Sequence, residues 1–400
     1  MSITPQIKRV LLMNAASNII FNYIGIFVNL YIWESAKQIK DVTWFNLVMF
    51  ISWSIAFAVG ARLLSAFSTR FLIRTVALSG TATFLLLSFL HLDNRVLWIA
   101  IIAVPVGIMW GFYASAQNIT LSVFGRGKDF EGYFSYASII GQAVSILNPV
   151  VFALVIKWVG YNGSFLLMFL FVILLLVVSF SIPPITLAKE PEPLFRNMSF
   201  SKVFCYPAIR WMVPSCLAAG VFLQFQALFA IIFTFSVSSD KLVIALLNVM
   251  YALSSIGSMF LYRRLQIQNG IWLAIGMASM CIGFLCALLQ HSFFLVISNI
   301  LTTIGLFYFG TVWNTGQFKI ISKHTAIEQA RIFLWREWFL NVTRILLLVS
   351  AMFVKDFQGG YFIALMIAAM ACALLVPLFS GKSAASEENR QQGVQLPSGH

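Results

Sequence analysis

The chain has 400 residues, of which 60% are hydrophobic and only 10% charged, against about 25% charged in a soluble domain. That excludes a water-soluble globular protein and leaves room for roughly twelve membrane spans of about 20 residues with short loops. The net charge of +13 does not point to nucleic acid, because the basic residues stand in ones and twos between apolar runs, with no basic stripe of interleaved aromatics.

The first span is expected over 10–33. No small-residue cleavage site follows it, so it is read as a retained membrane helix and not as a signal peptide. Asn14, Asn18 and Asn22 recur at four-residue spacing, with Asn29 seven further on. This makes a polar stripe on one helical face, which must turn away from lipid. Asparagine often glues helices together, but four on one face favour a cavity wall. Glu34 ends the span. Spans 2, 3 and 4 are expected over 42–60, 73–90 and 96–119, with Trp110 a candidate for a central cavity. The loop 125–132, GRGKDFEG, is glycine-rich but lacks the Gly-Lys-Ser/Thr ending and the preceding strand of a phosphate loop. Spans 5 and 6 follow over 134–155, which contains Gln142, and 165–182.

Residues 183–205 form the longest polar, proline-bearing interruption and are read as a linker between two halves, 1–182 and 206–380. Spans 7 to 10 are expected over 211–236, 242–262, 271–289 and 293–317, contributing Gln224, Trp313 and Asn314. Span 11 is expected over 334–348 and span 12 over 361–379. Residues 381–400 are polar and aperiodic, and are expected to be a disordered tail.

Span 11 carries Arg344, the one charge expected near the middle of a long apolar run. An arginine there costs about 2.5–3.5 kcal/mol on insertion scales, so it must face protein or water. Glu337, Asn341 and Arg344 share one helical face. With no carboxylate expected deep in a span, this arginine favours an anionic or carboxylate-bearing solute held by paired hydrogen bonds. Asn18, Asn22, Gln142, Gln224, Asn314, Asn341, Trp110 and Trp313 are its expected companions in a binding site. Glu34 and Glu337 are the candidates for coupling to protons, and with Arg62 and Arg264 for gating.

Of the 26 lysines and arginines, only Lys37, Lys40, Arg95, Lys157, Lys241 and Lys355 fall on the side opposite the termini. By the positive-inside rule both termini are expected in the cytoplasm, with the protein in the cell membrane. No enzyme constellation, metal-ligand spacing or Cys-x-x-Cys occurs, and the five cysteines read as packing residues, so neither a cofactor nor a metal is expected.

Arg9 and Arg210, Asn46 and Asn248, Arg62 and Arg264, His91 and His291, Phe134 and Phe333, and Tyr136 and Trp335 are pairs standing about 200 residues apart. This is the mark of two parallel six-span repeats. With the charged midpoint linker, the all-α pattern of about twelve spans resembles the major facilitator superfamily over residues 8–380. The loop after span 2 begins GARLLSAFSTR at Gly60, with Leu64 where that family usually has Asp. The resemblance implies a monomeric secondary transporter, whose small-molecule substrate crosses the bilayer between rocking halves. A drug-efflux pump and a non-transporting sensor or assembly protein of the same fold are the alternatives.

Overall fold

A computed structural model describes residues 5–90, 93–124, 128–182, 184, 194–265 and 267–395. His91, Arg126, most of the first half of the linker and the last five residues lie outside these.

Ten helices among the described residues are long and apolar enough to cross a membrane. One of them, Lys128–Ser181, is two spans: its backbone breaks at Gly160, with φ 76° and ψ −178°. That left-handed φ is open to glycine and strained for side-chain-bearing residues. The helix Ala326–Ala351 completes the set, because Arg336, Glu337 and Arg344 lower its hydropathy without preventing burial. The order is therefore span 1 (Pro5–Tyr23, Ile24–Val28 and Asn29–Ala36), span 2 (Ile39–Leu63), span 3 (Thr69–Phe89), span 4 (Arg95–Phe124), span 5 (128–160) and span 6 (161–181). Spans 7, 8 and 9 are Met212–Val237, Lys241–Arg264 and Asn269–Ala287. Span 10 comprises Ser292–Tyr308, Phe309–Trp313 and Asn314–Ile321, span 11 is Ala326–Ala351 and span 12 is Gly360–Gln395.

The expected repeat shows in the pairing of elements. Span 2 of the first half packs on span 11 of the second, and span 8 of the second on span 5 of the first. Asn46 and Asn248 occupy equivalent places, each donating to the carbonyl four residues back at 2.8 Å, Val42 and Ile244. Within the first half, glycines let span 4 press on span 2. A Cβ at Gly111 would sit 2.6 Å from both the Trp53 carbonyl oxygen and the Ala56 Cβ. Large apolar side chains such as Leu78, Phe89, Leu166, Leu246, Phe260 and Leu346 are exposed on the outer surface, where only a bilayer would cover so much apolar area. The chain is a multi-pass membrane protein.

Two expected boundaries are corrected. Span 11 starts at Ala326, eight residues before 334, because Thr325 and Glu328 form a reciprocal capping box. The added turns bury Arg331, whose Nε donates to the Leu194 carbonyl at 2.9 Å. Residues 381–395, expected as disordered tail, continue the helix of span 12. Ala, Glu, Arg and Gln there are good helix formers, and the helix is docked. Ser383 Oγ donates to the Ala208 carbonyl at 2.6 Å, and Glu387 meets Lys323 at 2.7 Å. The later part of the linker is docked as well, since Trp335 Nε1 donates to the Met198 carbonyl at 2.9 Å.

Candidate functional site

The asparagines of span 1 are mostly spent on their own half. Asn14 Nδ2 donates to the Tyr113 hydroxyl at 2.9 Å, and Asn18 Nδ2 to Asn14 Oδ1 at 3.0 Å. Asn148 Nδ2 donates to Asn22 Oδ1 at 3.0 Å, and Asn46 Nδ2 to Asn29 Oδ1 at 3.2 Å. The stripe thus ties span 1 to spans 4, 5 and 2. Between Asn22 and Asn29 the helix widens into the π turn Ile24–Val28, a feature frequent at functional sites. Asn29 Nδ2 donates back to the Gly25 carbonyl at 3.0 Å, steadying the loosened turn.

Beside Asn22 lies a cavity of about 320 Å³ between the halves. Span 1 supplies Asn22 and Ile26, span 5 Gln142 and Ser145, span 7 Gln226 and Thr234, span 8 Asn248 and Tyr251, and span 10 Asn299 and Thr303. Asn299 is the hub of its polar wall. Its Nδ2 lies 3.0 Å from the Ala230 carbonyl, 3.0 Å from Thr234 Oγ1 and 3.2 Å from the Tyr251 hydroxyl. Gln142 Nε2 donates to Ser255 Oγ at 2.7 Å, crossing from one half to the other. The cavity lining is amide, hydroxyl and apolar, Phe235 included, with no Asp, Glu, Lys or Arg among the described residues. The size is at the lower end of small-molecule pockets.

A charged layer lies nearer the side that bears the termini. Arg336 and Glu337 sit 10 and 11 residues inside span 11, roughly 15 Å along its axis, and are 7% and 5% exposed. Arg336 Nη1 meets Glu337 Oε1 at 2.7 Å, Nε donates to Gln317 Oε1 at 2.6 Å, and Nη2 to Asn314 Oδ1 at 2.8 Å. The guanidinium also lies 4.9 Å over the Trp313 ring, whose Nε1 donates to Ser215 Oγ at 2.8 Å. From the other half, Asn118 Nδ2 reaches Glu337 Oε1 at 3.5 Å. This corrects two expectations: Arg344 is not the one charge deep in span 11, and a carboxylate, Glu337, does lie deep in a span. Both follow from the earlier start of span 11. A larger recess, of about 910 Å³, lies toward the same side, with Phe134, Tyr262, Thr311 and Gln317 in its lining.

Arg344 lies elsewhere. It is half-buried in the seam between spans 2 and 11, with its guanidinium 5.1 Å over the Phe50 ring and 5.6 Å over Trp53. Its Nη1 donates to Asn341 Oδ1 at 3.3 Å, while Glu337 on the same face is turned to Arg336. Trp110 is stacked between Phe21, at 3.7 Å, and Trp53, at 5.2 Å, and so belongs to this seam. Of the expected site residues, then, Asn22 and Gln142 line the central cavity. Asn314, Trp313 and Glu337 gather around Arg336, and Asn341 and Trp110 around Arg344. Asn18 is held by Asn14, and Gln224 is buried in span 7 away from the cavity lining. Arg62 and Arg264 are exposed at the ends of spans 2 and 8.

Glu34 sits at the opposite end of the molecule. It accepts from the Tyr161 hydroxyl at 3.0 Å and pairs with Lys241 of the other half at 3.3 Å. Trp33 and Phe235 meet beside it, with ring centroids 6.2 Å apart. On the terminus-bearing side, Phe130 and Phe134 of span 5 pack on Phe318 of span 10. Contacts between the halves therefore stand on both sides of the cavity.

Sequence reasoning passed over Gln226, Thr234, Asn248, Tyr251 and Asn299 as site residues. Their signal was present in the spacing: Asn248, Tyr251 and Ser255 are spaced i, i+3, i+7 on span 8, and Gln226, Ala230 and Thr234 i, i+4, i+8 on span 7.

The chain matches no family model and no curated protein sequence. Solved structures do match. A bacterial homologue of the iron transporter ferroportin in its outward-facing state aligns with TM-score 0.68 at 13% identity, covering 96% of this chain and all of the other. A POT family transporter in complex with 5-aminolevulinic acid aligns with TM-score 0.69 at 13% identity, covering 94% and 96%. A D-xylose-proton symporter aligns with TM-score 0.61 at 15% identity, covering 94% and 97%. The chain has the major facilitator fold. At these identities the likeness is one of architecture, and nothing about cargo follows from it.

Proposed function

We propose that the chain is a secondary transporter, not an enzyme, that moves a small hydrogen-bonding solute by alternating access. The observation that carries this reading is the central cavity. It lies between the halves, takes its wall from both, and has inter-half contacts on either side that would break in turn as the halves rock. The three solved structures of the same fold are named as transporters or a symporter. The basic loops support a cytoplasmic position for both termini, which would put the Glu34–Lys241 pair on the outer side and the Arg336–Glu337 layer toward the inner.

The lining favours an uncharged solute over the anionic one expected from the sequence. An anion desolvated here would meet neutral donors only, and ion burial without a paired charge is costly. Asn299, Gln142 and Gln226 offer instead the donors and acceptors that suit a polyol, a pentose or an amide. Glu34 and Glu337 remain the groups through which protons would couple, from outside the cavity.

Uptake of pentoses, polyols, amides and monocarboxylates into vesicles reconstituted with the full chain tests this. Uptake of one of the neutral classes is expected, and Asn299→Leu, which removes the hub of the wall, should reduce it about tenfold or more. Uptake confined to carboxylates, or unchanged by Asn299→Leu, would overturn the reading.

A further inference from the structure

Several charges in or at the ends of the spans have carboxylate counter-ions. Arg336 has Glu337, Arg95 has Asp41 and Lys241 has Glu34. Arg344 has no carboxylate within ion-pair distance among the described residues. It lies 18 residues into span 11 and seven from its end, hence roughly 10 Å along the axis from Ala351 and inside the apolar layer. An unpaired charge at that depth ordinarily marks a site.

Its surroundings hold more donors than acceptors. The guanidinium carbon lies 5.1 Å from the Phe50 ring centroid and 5.6 Å from that of Trp53, contacts that satisfy its charge in part and leave its N–H groups for acceptors. One edge N–H reaches Asn341 Oδ1 at a long 3.3 Å. The other end of that amide, Asn341 Nδ2, is buried without a partner, and Asn341 is 1% exposed. The indole Nε1 of Trp53, beneath the guanidinium, is likewise buried without a partner. The two halves thus bring to one seam a guanidinium with a single long hydrogen bond, an amide N–H and an indole N–H, and the last two have no acceptor among the described residues. Buried donors are nearly always satisfied, so the group this seam is short of is an acceptor, and beside a guanidinium an anionic one.

We propose that Arg344, Asn341 and Trp53 form a carboxylate-binding site in the seam between spans 2 and 11. A carboxylate matches the in-plane edge of the guanidinium through two parallel hydrogen bonds. The ladder Phe50–Trp53–Trp110–Phe21, with centroid spacings of 5.2, 5.2 and 3.7 Å, packs face to face beside the guanidinium and holds Trp53 in place. None of these residues lines the central cavity. The site therefore goes beyond the transport reading and stands whatever solute the cavity takes. A ligand bound here would touch both halves at once.

Direct binding to the full chain in lipid nanodiscs tests it, with radiolabelled benzoate and acetate as probes and chloride and benzamide as competitors. Saturable binding of at least one carboxylate is expected, displaced by neither competitor at equal concentration. Arg344→Lys keeps the charge but loses the planar edge, and Trp53→Phe keeps the ring but loses the N–H. Each should weaken binding about tenfold, as expected for one hydrogen bond to a charged group, with thermal unfolding close to that of the unsubstituted chain. No saturable binding of either carboxylate would overturn the site. Binding unchanged in both variants would do the same. Equal displacement by chloride would replace the carboxylate with a halide, and equal displacement by benzamide would show that charge is not recognised.

Discussion

Arg336 and Glu337 show how little a single residue's identity says about its environment. Adjacent residues on a helix ordinarily diverge by about 100°, yet these two side chains meet at 2.7 Å because Gln317 and Asn314 hold the guanidinium from span 10. A buried ion pair of this kind is weak evidence of stability in itself, but breaking one partner strands the other. Glu337→Gln is therefore expected to lower stability by about 3–5 kcal/mol, read as a large drop in the unfolding temperature in detergent. The double change Arg336→Met with Glu337→Leu should recover most of that loss. A double variant less stable than Glu337→Gln alone would mean that the pair is net stabilising.

At the scale of elements, the crossing of spans 2 and 4 depends on absent side chains. In span 4, a Cβ at Gly107 would run into the Met49 carbonyl, and one at Gly111 would sit 2.6 Å from the Trp53 carbonyl. Small residues let membrane helices approach at the backbone, where dispersion and weak polar contacts do the work that water does elsewhere. Gly111→Leu should separate the two helices and disturb Trp53 above Arg344, with a loss of folded protein on size-exclusion chromatography. Gly141 in span 5 is the contrast. Nothing lies within 4 Å of its would-be Cβ, so Gly141→Ala should leave folding intact or stabilise it by about 0.5–1 kcal/mol. Equal tolerance of both changes would show that the span 2–4 contact is not close-packed.

For the whole molecule, the two sets of contacts between the halves frame the cavity, and the one at Glu34 can be inverted. Lys241→Glu would face Glu34 with a like charge and loosen that side, so a cysteine at Ser145 in the cavity should react faster with a charged thiol reagent added there. Glu34→Lys combined with Lys241→Glu restores an attractive pair and should return the rate toward its starting value. The expected change is several-fold, because both side chains are about one-third exposed and solvent screens them. Unchanged labelling in Lys241→Glu would remove this pair from the gate.

Hydropathy and chain order alone determined the membrane class, the positions of the spans, the two-fold repeat and hence the fold, because lipid demands long apolar helices whatever they later pack against. The capping box at Thr325 and Glu328 was equally local and legible, and reading it would have placed Arg336 and Glu337 at depth. Which polar faces meet was settled only in the tertiary structure. Asn14, Asn18, Asn22 and Asn29 carry one signature on one helix, yet Asn14 and Asn29 are bonded into the first half while Asn22 also borders the cavity. Arg344 was visible from the sequence as an intramembrane charge. That its neighbours are Phe50 and Trp53, nearly 300 residues away, depends on how span 2 packs against span 11. A helix sequence specifies which side is polar, and only the packing of its neighbours specifies what that side touches.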